Sequence, residues 1–135
     1  IEYTSGSTWH AAGLLPLFNM SYSVGKIHKY SVDLYQSLEE ETGQHVSFHK
    51  TGNLRLARNQ ERMDEYKRYC GTASTIGVPF EMIGPAEIKK LWPFAKVDDL
   101  VGALFHPDDG HVAPVDVTMA LLKGARANGA ETYSE

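Results

Sequence analysis

A chain of 135 residues, 42% of them hydrophobic, has the size of one ordinary domain and enough apolar material to bury a core. Thirteen basic against 17 acidic side chains give a formal net charge of −4, and no Lys/Arg-rich run forms a phosphate-binding stripe, so nucleic acid is not an expected partner. The longest apolar stretch, residues 11–18, is broken by Gly13 and Pro16 and falls short of the roughly 20 residues that span a bilayer, so no membrane segment is expected.

The chain opens on Ile1 without a methionine and closes in the strand-like residues 131–135, which reads as a segment excised from a longer protein. Residues 4–8, Thr-Ser-Gly-Ser-Thr, are small and polar and predict a loop leading to Trp9 and His10. From Ser21 the pattern turns helical: Val24, Ile27, Tyr30, Leu34 and Leu38 recur at three- and four-residue steps, with Gly43 as C-terminal cap. Val46, Phe48 and Lys50 alternate, as do Leu54 and Leu56, around Thr51-Gly52-Asn53, which predicts an antiparallel hairpin. A second helix is expected from Gln60 to Ala73, capped by Asn59, with Met63, Tyr66, Lys67 and Cys70 along one side and Gly77 and Pro79 breaking it.

Residues 80–83 read as a short strand, and Pro85 starts a short helix carrying Ile88, Leu91 and Trp92 inward until Pro93 ends it. Strand-like residues 100–105 lead to the turn Pro107-Asp108-Asp109-Gly110, then to a helix from Pro114 to about Asn128 with Val117, Leu121 and Ala125 on one face. Gly129 closes it, and residues 131–134 predict a crossover into a parallel sheet. No repeat is present, and the order of elements implies an α/β or mixed α+β fold. The single cysteine, Cys70, cannot close an intrachain disulfide and suits a small apolar position in a reducing compartment, bacterial cytoplasm or mitochondrial matrix. Tyr30, Tyr35, Tyr66, Tyr69 and Trp92 are expected to pack in the core.

Residues 5–14, Ser-Gly-Ser-Thr-Trp-His-Ala-Ala-Gly-Leu, resemble the flavin-dependent sarcosine and dimethylglycine dehydrogenase family of D-amino-acid-oxidase-like amine oxidoreductases. Further matches follow in order: Leu38-Glu39-Glu40-Glu41-Thr42-Gly43-Gln44, Phe48-His49 with Thr51-Gly52, Leu54-Arg55-Leu56-Ala57, and Asp109-Gly110-His111-Val112. The resemblance covers essentially the whole chain. It implies part of an FAD-binding, Rossmann-like domain with an inserted antiparallel, substrate-side hairpin. Residues 1–20 would hold the flavin-attachment loop, 21–112 the helices and hairpin of the insert, and 113–135 the crossover helix and the start of a strand.

The resemblance also implies an activity: oxidation of an N-methylated glycine, sarcosine or dimethylglycine, by hydride transfer to flavin N5. His10 stands where the family bonds a ring nitrogen to the methyl carbon at position 8 of the flavin, and neutral imidazole is a competent nucleophile. Ser7, Thr8, Trp9 and Gly13 are the accompanying cofactor-binding candidates, and His49 is a substrate-side candidate. The resemblance leaves room for tetrahydrofolate in a longer parent protein and does not name the electron acceptor. No residue in this segment is expected to perform the catalytic step, and the fragment alone is expected to be inactive. The dinucleotide fingerprint Gly-x-Gly-x-x-Gly is missing and belongs upstream of residue 1.

Two other readings stay open. The chain could be a binding or assembly module that retains the scaffold without chemistry. His106, Asp108, Asp109 and His111 could instead serve a metal-dependent hydrolase, although Pro107 and Gly110 make this stretch a turn and no metal site is expected there. Ala113 departs from the family's aspartate before the proline, leaving the last helix without a side-chain cap, a loss of roughly 0.5–2 kcal/mol.

Overall fold

The computed structural model describes residues 3–133. It separates into two compact units, one formed by the chain up to Leu15 with Tyr30–His49 and Gly110 onward, the other by Pro16–Lys29 and Lys50–Asp109. The mixed helix and strand composition follows the sequence expectation, and both sheets are antiparallel.

In the first unit, β1 (Leu14–Leu15) pairs with β5 (Gly110–His111), Leu14 opposite His111 and Leu15 opposite Gly110. The helix α4 (Pro114–Ala127) follows directly, with Pro114 in its first turn. Helix α1 (Tyr22–Thr42) contributes Tyr30 onward, and its last amide turn closes where Gly43 donates to the Glu39 carbonyl at 2.8 Å. The core is Leu38, Val46, Val112, Val117 and Ala120, with Leu15, Tyr35 and Phe48 packed against it.

The second unit is organised by β4 (Gly102–His106), the central strand between β2 (Asn53–Ala57) and β3 (Glu81–Ile83). β4 is paired along both edges, and Ala103, Leu104 and His106 on it are fully buried. Ile83, Ile88, Ala95 and Ala103 form an apolar core there, Ile88 being supplied by α3 (Pro85–Leu91). Helix α2 (Gln60–Ile76) starts at Asn59, whose side-chain oxygen accepts from the Arg62 amide at 2.9 Å, and stops at Gly77, which takes φ 72°.

Several expectations are corrected. No hairpin turns at Gly52: β2 pairs instead with β4, residues 46–48 carry no strand, and His49 makes an isolated bridge with His111. The Gly52 amide is used on the Asp109 carbonyl at 2.8 Å, so a long-range partner wins over the local turn. The buried side of α2 is Tyr66, Tyr69 and Ala73 rather than Met63, Tyr66, Lys67 and Cys70, because the Tyr69 hydroxyl finds partners inside. Helix α1 buries Val32 and Leu38, whereas Val24, Ile27 and Tyr30 are exposed. Leu91 and Trp92 are half exposed beside the buried Ile88, and α4 buries Val117 and Ala120 while Leu121 and Ala125 face outward. Residues 131–133 form no strand, and Ser134 lies outside the described residues, so no parallel crossover is present among the described residues.

Candidate functional site

The segment around His10 is built from short, weak local structure. Ser7–His10 makes one turn of 3-10 helix with no side-chain cap at Gly6, and the Ala11 amide donates to the Thr8 carbonyl at 3.1 Å. Trp9 and His10 are exposed, their ring centroids 4.6 Å apart with planes inclined by 47°. The His10 ring has no hydrogen bond or ion pair among the described residues, which leaves its nitrogen lone pair uncommitted.

Three residues on, the backbone is fixed. Gly13 sits at φ 72° and accepts from the Val112 amide at 2.9 Å. A Cβ at this position would lie 2.1 Å from the Val112 carbonyl oxygen and 3.2 Å from Pro114 Cδ, so only glycine fits. The close approach welds the loop to β5 and the start of α4. Between them lies an open, mostly apolar cleft of about 420 Å³, bordered by Thr8, Gly13, Leu14, Tyr35, Thr118 and Leu121 among others. Thr8 and Gly13 of the sequence candidates border this cleft; Ser7, Trp9 and His10 do not.

The remaining candidates lie apart. His49 is exposed and exchanges two backbone hydrogen bonds with His111, at 2.8 and 3.0 Å, with ring centroids 5.0 Å apart. The four residues of the suspected metal constellation each have other contacts: Asp108 pairs with Lys50, Asp109 Oδ1 accepts from the Leu17 amide at 2.9 Å, His106 bonds Tyr69, and His111 faces His49. No group of three or more ligating side chains suited to a metal occurs among the described residues.

Sequence reasoning did not anticipate the buried polar cluster in the second unit. Leu17 is held from both sides, its amide by Asp109 and its carbonyl by the Tyr69 hydroxyl, which donates at 3.2 Å. With that proton used, Tyr69 accepts from His106 at 3.1 Å, which fixes the His106 proton on Nε2 and leaves Nδ1 as a buried, unpartnered acceptor. Burial and the nearby Arg55 charge lower His106 to about 4; burial raises Asp109 to about 6 against the opposing Leu17 amide and Arg55. Burial likewise pushes the Tyr69 phenol far up. At neutral pH His106 and Tyr69 are therefore uncharged while Asp109 is a carboxylate stabilised by the Leu17 amide and Arg55, and the adjoining Asp109-Gly110 turn was the available signal.

The segment thus combines an exposed imidazole on a short turn, a glycine held at φ 72° and an apolar cleft against α4 that the imidazole does not border. Residues 2–135 match the FAD dependent oxidoreductase family, and the chain belongs to it. It is 44% identical over 128 residues to the mitochondrial dimethylglycine dehydrogenase of Rattus norvegicus, covering 95% of this chain and 15% of that one. It is 40% identical over 129 residues to the mitochondrial sarcosine dehydrogenase of Homo sapiens, covering 95% and 14%. It is also 38% identical over 129 residues to the mitochondrial pyruvate dehydrogenase phosphatase regulatory subunit of Mus musculus, covering 96% and 15%. The crystal structure of L-proline dehydrogenase from P. horikoshii superposes with a TM-score of 0.85 at 30% identity, covering 94% of this chain and 33% of that one. The chain thus spans about one seventh of the curated relatives it matches, and the fold is that of the FAD-dependent oxidoreductases.

Proposed function

We propose that the parent protein oxidises an N-methylated glycine, sarcosine or dimethylglycine, with FAD bonded covalently through His10. The observation that carries this is the exposed His10 imidazole, without a polar partner among the described residues, in Trp9-His10-Ala11-Ala12-Gly13. Such a ring fits the group: a neutral nitrogen with a free lone pair would replace one C–H hydrogen on the flavin's 8-methyl carbon, the electron pair of that bond passing to the flavin ring and the protons to solvent. Ser7, Thr8, Trp9 and Gly13 hold the cofactor with it, Thr8 and Gly13 from the rim of the apolar cleft. That apolar lining suits a flat hydrocarbon ring face, and the Gly13 to Val112 lock keeps the loop in register. The bound flavin would supply the two-electron acceptor for oxidation at the carbon next to the amine nitrogen.

In this reading residues 1–20 are the attachment loop, 21–112 the insert with His49 on its substrate side, and 113–135 the helix returning toward the FAD-binding sheet. Tetrahydrofolate, if the full-length protein uses it, would bind outside these residues, and they name no electron acceptor. The mitochondrial relatives support a matrix location, and a bacterial cytoplasm suits the lone cysteine equally. No helix of the described residues is long and apolar enough to cross a membrane.

Acid precipitation of the parent protein tests the proposal. Yellow colour should stay with the wild-type pellet and be lost from His10→Ala; colour that washes out of the wild type refutes covalent attachment. The 38% identical relative named as a phosphatase regulatory subunit favours a second reading, a binding or assembly module without redox chemistry. Flavin fluorescence separates the two, because a parent protein that neither retains nor binds FAD is such a module.

A further inference from the structure

The six histidines divide by what their ring nitrogens do. His28 bonds the Pro16 carbonyl, His45 bonds Glu39 and His106 bonds Tyr69. His10 belongs to the attachment loop. His49 and His111 remain, and each has the other as its neighbour. Neither ring has a hydrogen bond or an ion pair among the described residues, His49 is exposed and His111 is half-buried.

Their backbones are locked in register. His49 and His111 form an antiparallel bridge in which each amide donates to the other's carbonyl, at 2.8 and 3.0 Å. Directly opposed residues project to the same face of the ladder with Cβ atoms about 5.5 Å apart. The two rings accordingly lie 5.0 Å apart between centroids and are inclined by 37°. Stacked imidazoles gain little from each other in water, yet this spacing lets one nitrogen from each ring converge on a common ion at the usual distance of about 2.0–2.1 Å after small side-chain rotations.

We propose that His49 and His111 form a two-imidazole clamp for a borderline divalent transition-metal ion. Imidazole selects ions of the Cu²⁺, Ni²⁺ and Zn²⁺ class over the oxygen-seeking Mg²⁺ and Ca²⁺, and among these Cu²⁺ binds most tightly. Two protein ligands leave the other coordination positions to water or to a small ligand bearing oxygen or nitrogen donors. Neither ring borders the apolar cleft lined by Thr8 and Gly13, and the flavin reading uses His49 only as a substrate-side residue and His111 not at all. Because the pairing is made by backbone bonds, the register survives loss of either ring.

Titration of the protein with Ni²⁺ by calorimetry, and pulsed electron paramagnetic resonance of its Cu²⁺ complex, test the clamp. One equivalent of Ni²⁺ should bind, and His49→Gln or His111→Gln should each weaken it by about 10²-fold, the low end of the gain from joining two ligands on one frame. His45→Gln should leave the affinity unchanged. The Cu²⁺ spectrum of the unaltered protein should report two coordinated imidazoles, falling to one in either variant. A wild-type spectrum with a single imidazole, or an affinity that either glutamine variant leaves within twofold, overturns the assignment; the first readout needs no variant to fold.

Discussion

Asp109 and His106 titrate in opposite senses, and their effects on stability should cancel. Burial raises the Asp109 carboxyl from its usual 3.8 to about 6, with the Leu17 amide and Arg55 opposing, while burial and Arg55 lower His106 from 6.5 to about 4. Between these limits the folded protein keeps a proton on Asp109 that the unfolded chain has released. Asp109 therefore contributes stability that is complete below pH 3.8 and lost as the pH rises through about 6. His106 is neutral when folded and protonated when unfolded over the same range, so its contribution is complete above 6.5 and lost as the pH falls through about 4.

Each slope alone is about 1.4 kcal/mol per pH unit, or on the order of 2 kcal/mol between about pH 4.5 and 6. With one falling and one rising, the two contributions nearly cancel across this window. Asp109→Asn keeps an oxygen for the Leu17 amide but removes the falling component, so its stability should climb with pH relative to wild type by on the order of 2 kcal/mol. His106→Gln keeps a nitrogen donor for Tyr69 and should show the opposite trend. Urea midpoints measured through the window for the three proteins give the answer, since all other titrating groups are common to them. Three parallel curves would refute the opposed-pair account.

Two further substitutions test the frame of the candidate site. Gly13→Ala puts a methyl carbon 2.1 Å from the Val112 carbonyl and forces a side chain into φ 72°, so unfolding by urea should show a loss of roughly 2–4 kcal/mol from strain and the disrupted Gly13 to Val112 hydrogen bond; a loss under about 0.5 kcal/mol would mean the loop can move aside. Ala113 already has the extended φ −84° and ψ 114° of a capping residue but no side-chain oxygen. Ala113→Ser should therefore raise stability by about 0.5–2 kcal/mol in the same assay, and no gain would show that the α4 amides are satisfied otherwise.

What the sequence disclosed, and what it withheld, follows the range of the forces involved. Helix limits were legible because they are local: Asn59 and Gly77 bracket α2, and Pro85 and Pro114 open α3 and α4. Strand partners were not, because β2 joins β4 across roughly fifty residues of chain, and the local turn chemistry at Gly52 pointed to a nearer partner. Helix faces failed for a related reason. Tyr69 is buried as its spacing implied, but its partner His106 lies on a distant strand, a pairing no periodicity reports. The proposed attachment loop was marked by residue identity alone, while the cleft beside it, which needs Tyr35 and Thr118 as well as the loop, required the fold.

His10 and His106 differ in how far the fold depends on them. His106 is fully buried, donates through Nε2 to Tyr69, and would leave that tyrosine short of a partner if removed. Such a loss costs about 1–3 kcal/mol. His10 is exposed on an uncapped turn, touches the Trp9 ring, and has no polar partner among the described residues whose loss would cost anything comparable. Nothing in the fold therefore requires an imidazole there, and His10→Ala should shift the unfolding free energy of the flavin-free protein by no more than about 0.5 kcal/mol, as for an ordinary surface site. If that variant instead unfolds as readily as one lacking His106, the ring is part of the scaffold, and its availability for a covalent bond loses its physical basis.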